Sequence, residues 1–115
     1  LAYKIAQNLA AITSLNSKTS ISLTGDHFSA NWMLNKVGHI VQIKTNGFKD
    51  ISAGGTTLYQ LPREYYPSVE VAWEVRDPNN NIYRLIITTQ GVLSVYAYSL
   101  VGSFNNVSAT LVYAI

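Results

Sequence analysis

Val69-Glu70-Val71-Ala72-Trp73-Glu74-Val75-Arg76, then Asp77-Pro78-Asn79-Asn80-Asn81, then Ile82-Tyr83-Arg84-Leu85-Ile86-Ile87-Thr88-Thr89 reads as two strands joined by five turn formers. In the first run the period is two: Val69, Val71, Trp73 and Val75 share a core face, and Glu70, Ala72, Glu74 and Arg76 share the opposite one. In the second run Tyr83, Leu85 and Ile87 oppose Ile82, Arg84 and Ile86, so both faces are largely apolar. Such a strand is central in its sheet or turns its second face toward another subunit. The same alternation predicts further strands at 20–23, 27–33, 37–44, 57–61, 92–99 and 108–113. Turns are expected at Asn46-Gly47, Gly54-Gly55, 77–81, Gln90-Gly91 and 102–106, where Gly, Asn and Pro supply the special backbone angles. Short strands at this spacing predict an all-β fold, an antiparallel Greek-key barrel or sandwich.

Before residue 18 the period changes. Leu1, Ile5, Asn8, Ile12 and Leu15 are separated by steps of four and three, a two-heptad helical seam. Residues 1–17 therefore read as a short stem or neck, and 18–115 as the β domain. A helix docking Ile5, Leu9 and Ile12 on the domain's own core fits the same spacing. Asn8 on the seam favours the stem, because a buried polar seam residue fixes register. The chain starts at Leu1 without Met, so a longer protein preceding it is expected.

Composition narrows the function classes. At 115 residues the chain is one core's worth. Only 12% of residues are charged, against roughly 25% in an average soluble domain, so part of the surface is expected to be covered by other chains. The net charge of +2 comes from scattered Lys and Arg, which argues against a nucleic-acid partner. With no Cys, disulfides and thiolate metal sites are excluded. No apolar run approaches the ~18 residues of a membrane-spanning helix, and no membrane insertion is expected.

Catalytic chemistry finds little purchase. His27 and His39 fall on different expected strands without metal-ligand spacing, His39 sharing an apolar strand face with Val37, Val41 and Ile43. Asp26-His27 beside many serines lacks a Gly-x-Ser-x-Gly elbow. Glu70 and Glu74 lie about 13 Å apart along an ideal strand, too wide for the roughly 5–9.5 Å of a glycosidase pair. No catalytic set, metal or cofactor is expected. Asn106-Val107-Ser108 matches a glycosylation sequon, a loose pattern. The remaining signal is aromatic: eight Tyr, three Phe and two Trp exceed the needs of a small core. Tyr and Trp suit surfaces apolar on one side and wet on the other, as a saccharide is. Trp73, among valines, is read as core. Trp32, His39, Glu74, Arg76, Tyr83 and Arg84 are the candidate saccharide contacts, with Arg84 on a central strand and in need of a partner.

Three stretches also carry a likeness to known proteins. Leu61-Pro62-Arg63-Glu64-Tyr65-Tyr66-Pro67, of the form L-P-x-x-Y-x-P, precedes a Val-rich strand and then Ile86-Ile87-Thr88-Thr89-Gln90-Gly91-Val92-Leu93. Upstream stands Lys36-Val37-Gly38-His39-Ile40-Val41. Together, over residues 35–113, they resemble the C-terminal head domains of siphophage receptor-binding proteins of the lactococcal type and of phage tail-fibre tips. The resemblance implies a homotrimer in the virion, at the tail tip or baseplate. It implies a host cell-wall or cell-surface polysaccharide as ligand, bound at or near a subunit boundary, and contacts to other baseplate proteins through the part preceding Leu1. The shared motifs set turns and transfer no binding residue. Two other readings stand beside saccharide-binding adhesion: a trimerisation or assembly module with no ligand of its own, and an enzyme that trims surface glycan.

Overall fold

The computed structural model describes Ile5 and residues 18–51, 53–98 and 104–115. The described strands are β1 Lys18–Leu23, β2 Trp32–Val37, β3 Ile40–Lys44, β4 Gly47–Lys49, β5 Gly54–Gln60, β6 Val71–Arg76, β7 Ile82–Ile87, β8 Val92–Ala97, β9 Phe104–Asn106 and β10 Thr110–Ala114, with one 3-10 turn at Arg63–Tyr65. They form two four-stranded antiparallel sheets, ordered β1-β2-β3-β10 and β5-β8-β7-β6, and a ribbon of β4 with β9. The second sheet has Greek-key order: β6, β7 and β8 run as consecutive hairpins, and β5 lies beside β8 after a long connection. Of the helical seam only Ile5 is described; Leu1, Asn8, Ile12 and Leu15 lie outside the described residues.

Alternation decides most of the core as expected, but Val69, read as a core member, precedes β6 and is exposed. Leu34, Val41, Ile43, Leu111 and Tyr113 from one sheet join Val75, Tyr83, Leu85, Ile87, Leu93, Val95 and Ala97 from the other in one buried cluster. An aromatic chain links the layers. Phe28 meets Trp32 edge-on at 5.0 Å, Trp32 meets Phe48 at 5.3 Å, and Phe48 meets Tyr83 at 5.3 Å. Each such pair contributes about 0.5–1.5 kcal/mol beyond its buried area. Trp73 is half-buried against Tyr113, as its place among valines implied, and this contact joins edge strands β6 and β10.

Three sequence expectations are corrected. The 27–33 run is a turn as far as Asn31, and only Trp32 and Met33 enter a strand. The 37–44 run is a hairpin, with Val37 opposite Ile40 and Gly38 at φ 59 in the first central position, as a type II′ turn requires. His39 therefore sits exposed in that turn, where its carbonyl accepts the Ile115 amide, and shares no strand face with Val41. Finally, Gly47, Gly54 and Phe104 open strands where turns were expected. The β3–β10 ladder continues into β4–β9 through a bend held by buried Thr45, whose hydroxyl donates to the Val107 carbonyl and accepts the Ala109 amide. A two-residue bend inside a continuing ladder looks like a turn in sequence.

The three stretches that carry the resemblance meet in space. Segment 61–67 is the long Greek-key connection, and its partners come from both sheets. The Leu61 amide donates to Gly91 O, the Gln60 side chain donates to Gln90 O and Tyr66 Oη, and the Tyr113 hydroxyl donates to Tyr65 O at 2.7 Å. Lys36 donates to Glu64 O and lies 5.7 Å from the Tyr65 ring centre. Gly91 has φ 76, and the Tyr66 ring occupies the space where a β-carbon would project.

Gly91→Ala is expected to destabilise through left-handed strain of about 1–2 kcal/mol together with the steric overlap. The melting temperature should fall by roughly 10 °C or more. Adding Tyr66→Ala should relieve the overlap and leave the backbone strain; a Gly91→Ala protein that melts like the parent would contradict this packing.

A second node lies in the 77–81 turn. The Asp77 carboxylate accepts the Asn79 and Asn81 amides, the Asn81 side-chain NH2 and the Tyr83 hydroxyl, all within 2.8–3.0 Å. Burial alone would raise its pKa, but the hydrogen bonds to the charged form outweigh burial and hold it below 3.8. Its stabilising contribution is therefore complete above the unfolded pKa and lost as pH falls through the lower folded value. Melts from pH 6 downward should stay flat and then drop below about pH 4. Asp77→Asn should shallow that drop and cost about 1–3 kcal/mol at neutral pH.

Candidate functional site

In β5-β8-β7-β6, strand register sets Glu74 opposite Arg84, Arg84 opposite Tyr96 and Tyr96 opposite Gly55. All four are exposed, on the face opposite Trp73, Leu85, Val95 and the core. The neighbouring row is Ala72, Ile86, Ser94 and Thr57, which are smaller or shorter in reach. A taller aromatic and charged row thus borders a lower shelf. Tyr98 stands against Tyr96 edge-on at 5.2 Å, and the two are 57% and 44% exposed, so aromatic surface faces water without a cover among the described residues. Ala72, Trp73, Glu74, Arg84 and Tyr98 line a hollow of about 190 Å³ here.

Chemically the face offers what a saccharide needs: ring surface for C–H edges, and a carboxylate and a guanidinium for hydroxyls. Arg76 approaches Glu74 at 4.0 Å, both side chains well exposed, so the pair holds its geometry weakly and a ligand hydroxyl competes with it easily. No group of three or more His, Asp or Glu suited to a metal occurs among the described residues.

The six sequence candidates divide evenly. Glu74, Arg76 and Arg84 lie together on this outer face. Trp32 and Tyr83 are completely buried: the Trp32 indole N–H points to Gly47 O, and the Tyr83 hydroxyl donates to Asp77 at 2.8 Å. Burial, then the bond to the Asp77 charge, raises the Tyr83 pKa and keeps it a neutral donor. Neither is available to a ligand. His39 is exposed but belongs to the other sheet's hairpin turn. His27, once drawn beside Asp26, instead donates from Nδ1 to Lys49 O at 3.3 Å and serves the turn before β2.

Tyr96 and Tyr98 escaped the sequence reading although their signal was present. They alternate with Leu93, Val95 and Ala97, so the parity that buries those three turns both tyrosines outward.

The opposite outer face, on β1-β2-β3-β10, differs. Met33, Val37, Ile40 and Val112 are exposed, and Val37, Ile40 and Val112 line a hollow of about 360 Å³ with Asn35, Gln42 and Lys44. None of the six acids of the chain lies on these four strands.

No family model matches the chain, and no curated protein matches it in sequence. Among solved structures it is similar to the receptor binding protein (gp15) of Listeria phage PSA, with a TM-score of 0.64 over 99% of this chain and 76% of that one. At 12% identity the likeness is one of fold.

Substitutions should separate the two kinds of candidate. Tyr96→Ala, Arg84→Gln and Glu74→Gln are expected to change folding free energy by no more than about 0.5 kcal/mol, and Trp32→Ala to cost about 3–5 kcal/mol. Denaturant titrations read both; a large loss from Tyr96→Ala would place that ring in the core.

Proposed function

We propose that this chain is the receptor-binding, host-adhesion module of a phage. In this reading it sits in the virion at the tail tip or baseplate, acts as a homotrimer and grips a host cell-surface saccharide without altering it. One observation carries the reading: an uncovered row of Glu74, Arg84 and Tyr96 crosses the outer sheet of a fold shared with a phage receptor binding protein. The three sequence motifs narrow it toward the heads of lactococcal-type siphophage proteins.

The trimer is supported from the other side of the molecule. An exposed apolar strip of Met33, Val37, Ile40 and Val112, in a chain with so few charges, is the kind of surface that a partner covers. Three copies multiply weak sugar contacts through effective concentration, so a site of modest affinity still holds a cell. Other baseplate proteins would be reached through whatever precedes the β domain.

The same apolar strip favours a second reading, a trimerisation or assembly module with no ligand of its own. Two measurements on the full chain decide between them. Sedimentation should return three times the monomer mass, and titration with Gram-positive wall polysaccharide should show saturable binding. Ile40→Glu with Val112→Glu should dissociate the trimer and weaken attachment to cells far more than binding of a short oligosaccharide. A trimer that binds none of a panel of wall polysaccharides supports the assembly module, and a monomeric wild type sinks both.

A further inference from the structure

We infer that the outer face of β5-β8-β7-β6 holds an internal stretch of a glycan chain, laid across the strands, and does not cap a chain end. The inference rests on the saccharide-binding reading of that face and adds the form of the ligand.

Direction comes first. The row Glu74, Arg84, Tyr96, Gly55 runs perpendicular to the strands, from edge strand β6 to edge strand β5. Three inter-strand steps span about 14 Å, the length of a few sugar rings joined end to end. The parallel shelf of Ala72, Ile86, Ser94 and Thr57 gives that chain a floor, because its side chains stop short of the Arg84 and Tyr96 wall.

Next come the ends. Recognition of a chain terminus needs a wall that closes one end of the groove. At the β5 end the shelf finishes on exposed Thr57, and at Gly55, next to it in the taller row, a β-carbon would meet nothing within 4 Å. At the β6 end the shelf finishes on Ala72, on an edge strand with no further neighbour in the sheet. Among the described residues no further strand flanks either edge of the shelf, while Tyr96, the aromatic ring beside it, sits on an interior strand with Tyr98 against it. A central anchor flanked by open exits suits a polymer passing through.

Gly55 also supplies the test. It lacks the positive φ of Gly54 and has space around it, so Gly55→Leu should fold normally while extending the Arg84 and Tyr96 row over the end of the shelf beside Thr57. The full chain is first tested for adsorption to a panel of Gram-positive strains. Wall polysaccharide from an adsorbing strain is then hydrolysed, and mono- to hexasaccharide fragments are titrated calorimetrically. Affinity should climb by about tenfold or more with length and then level off. Gly55→Leu should lower affinity for the long fragments more than for the short ones, and Tyr96→Ala should lower it for all. A monosaccharide that binds as tightly as the hexasaccharide, or a Gly55→Leu protein that keeps wild-type affinity for every length, overturns the through-groove while leaving saccharide binding in place. Failure to bind any strain or fragment removes the saccharide reading itself.

Discussion

Everything positioned in this molecule depends on how one irregular segment satisfies its backbone between two sheets. A Greek-key sheet needs a long connection, and here the connection from β5 to β6 passes across the open end of the sandwich, where unpaired carbonyls would be costly. Residues 61–67 meet that demand with partners from both layers: Gly91 and Gln90 from one sheet's turn, Tyr113 and Lys36 from the other sheet's strands. Pro62 and Pro67 limit the segment's freedom, and Tyr66 fills the space left by the absent side chain of Gly91. The connection therefore acts as a fastener. It holds β5 to β8 in the register that sets Gly55 beside Tyr96.

That role also explains what the three motif stretches have in common. Gln90-Gly91 and Lys36 are far apart in the chain, yet both contact the segment from Gln60 to Tyr66. They describe one structural joint, which is why they speak about architecture and leave ligand chemistry open. The chemistry lies elsewhere, on strand faces where side chains are released from packing. A rigid sheet with a fastened end is a suitable base for such a face, since its side chains keep their spacing without help from loops.

The two outer faces have been given different compositions. One carries Arg, Glu and Tyr, side chains that reach a wet ligand while keeping apolar contact beneath. The other carries Val, Ile and Met with amides and Lys, and lacks acids on its strands. Between them the core is apolar, and its buried polar residues are hydrogen-bonded, Asp77 with Tyr83 and Thr45 with Val107 and Ala109, while the buried Ser29 hydroxyl has no partner among the described residues. The two faces draw on separate residues, so a change on one leaves the other's side chains in place.

Sequence alone determined the alternation, and alternation determined the class of fold, the inward place of Val75 and the shared outward face of Glu74 and Arg76. Those properties are local: a strand's period of two is written into consecutive residues whatever lies opposite. Tertiary structure decided the rest. Whether Trp32 and Tyr83 meet a sugar or one another's neighbours depended on Phe48, which sits on a three-residue strand paired with another as short and bridged to Phe28. Whether Arg84 had Tyr96 beside it depended on which strand followed β7 in the sheet, and the bulge at Leu58 depended on the partner strand as well. Pairing joins residues distant in the chain, so no window of sequence contains it.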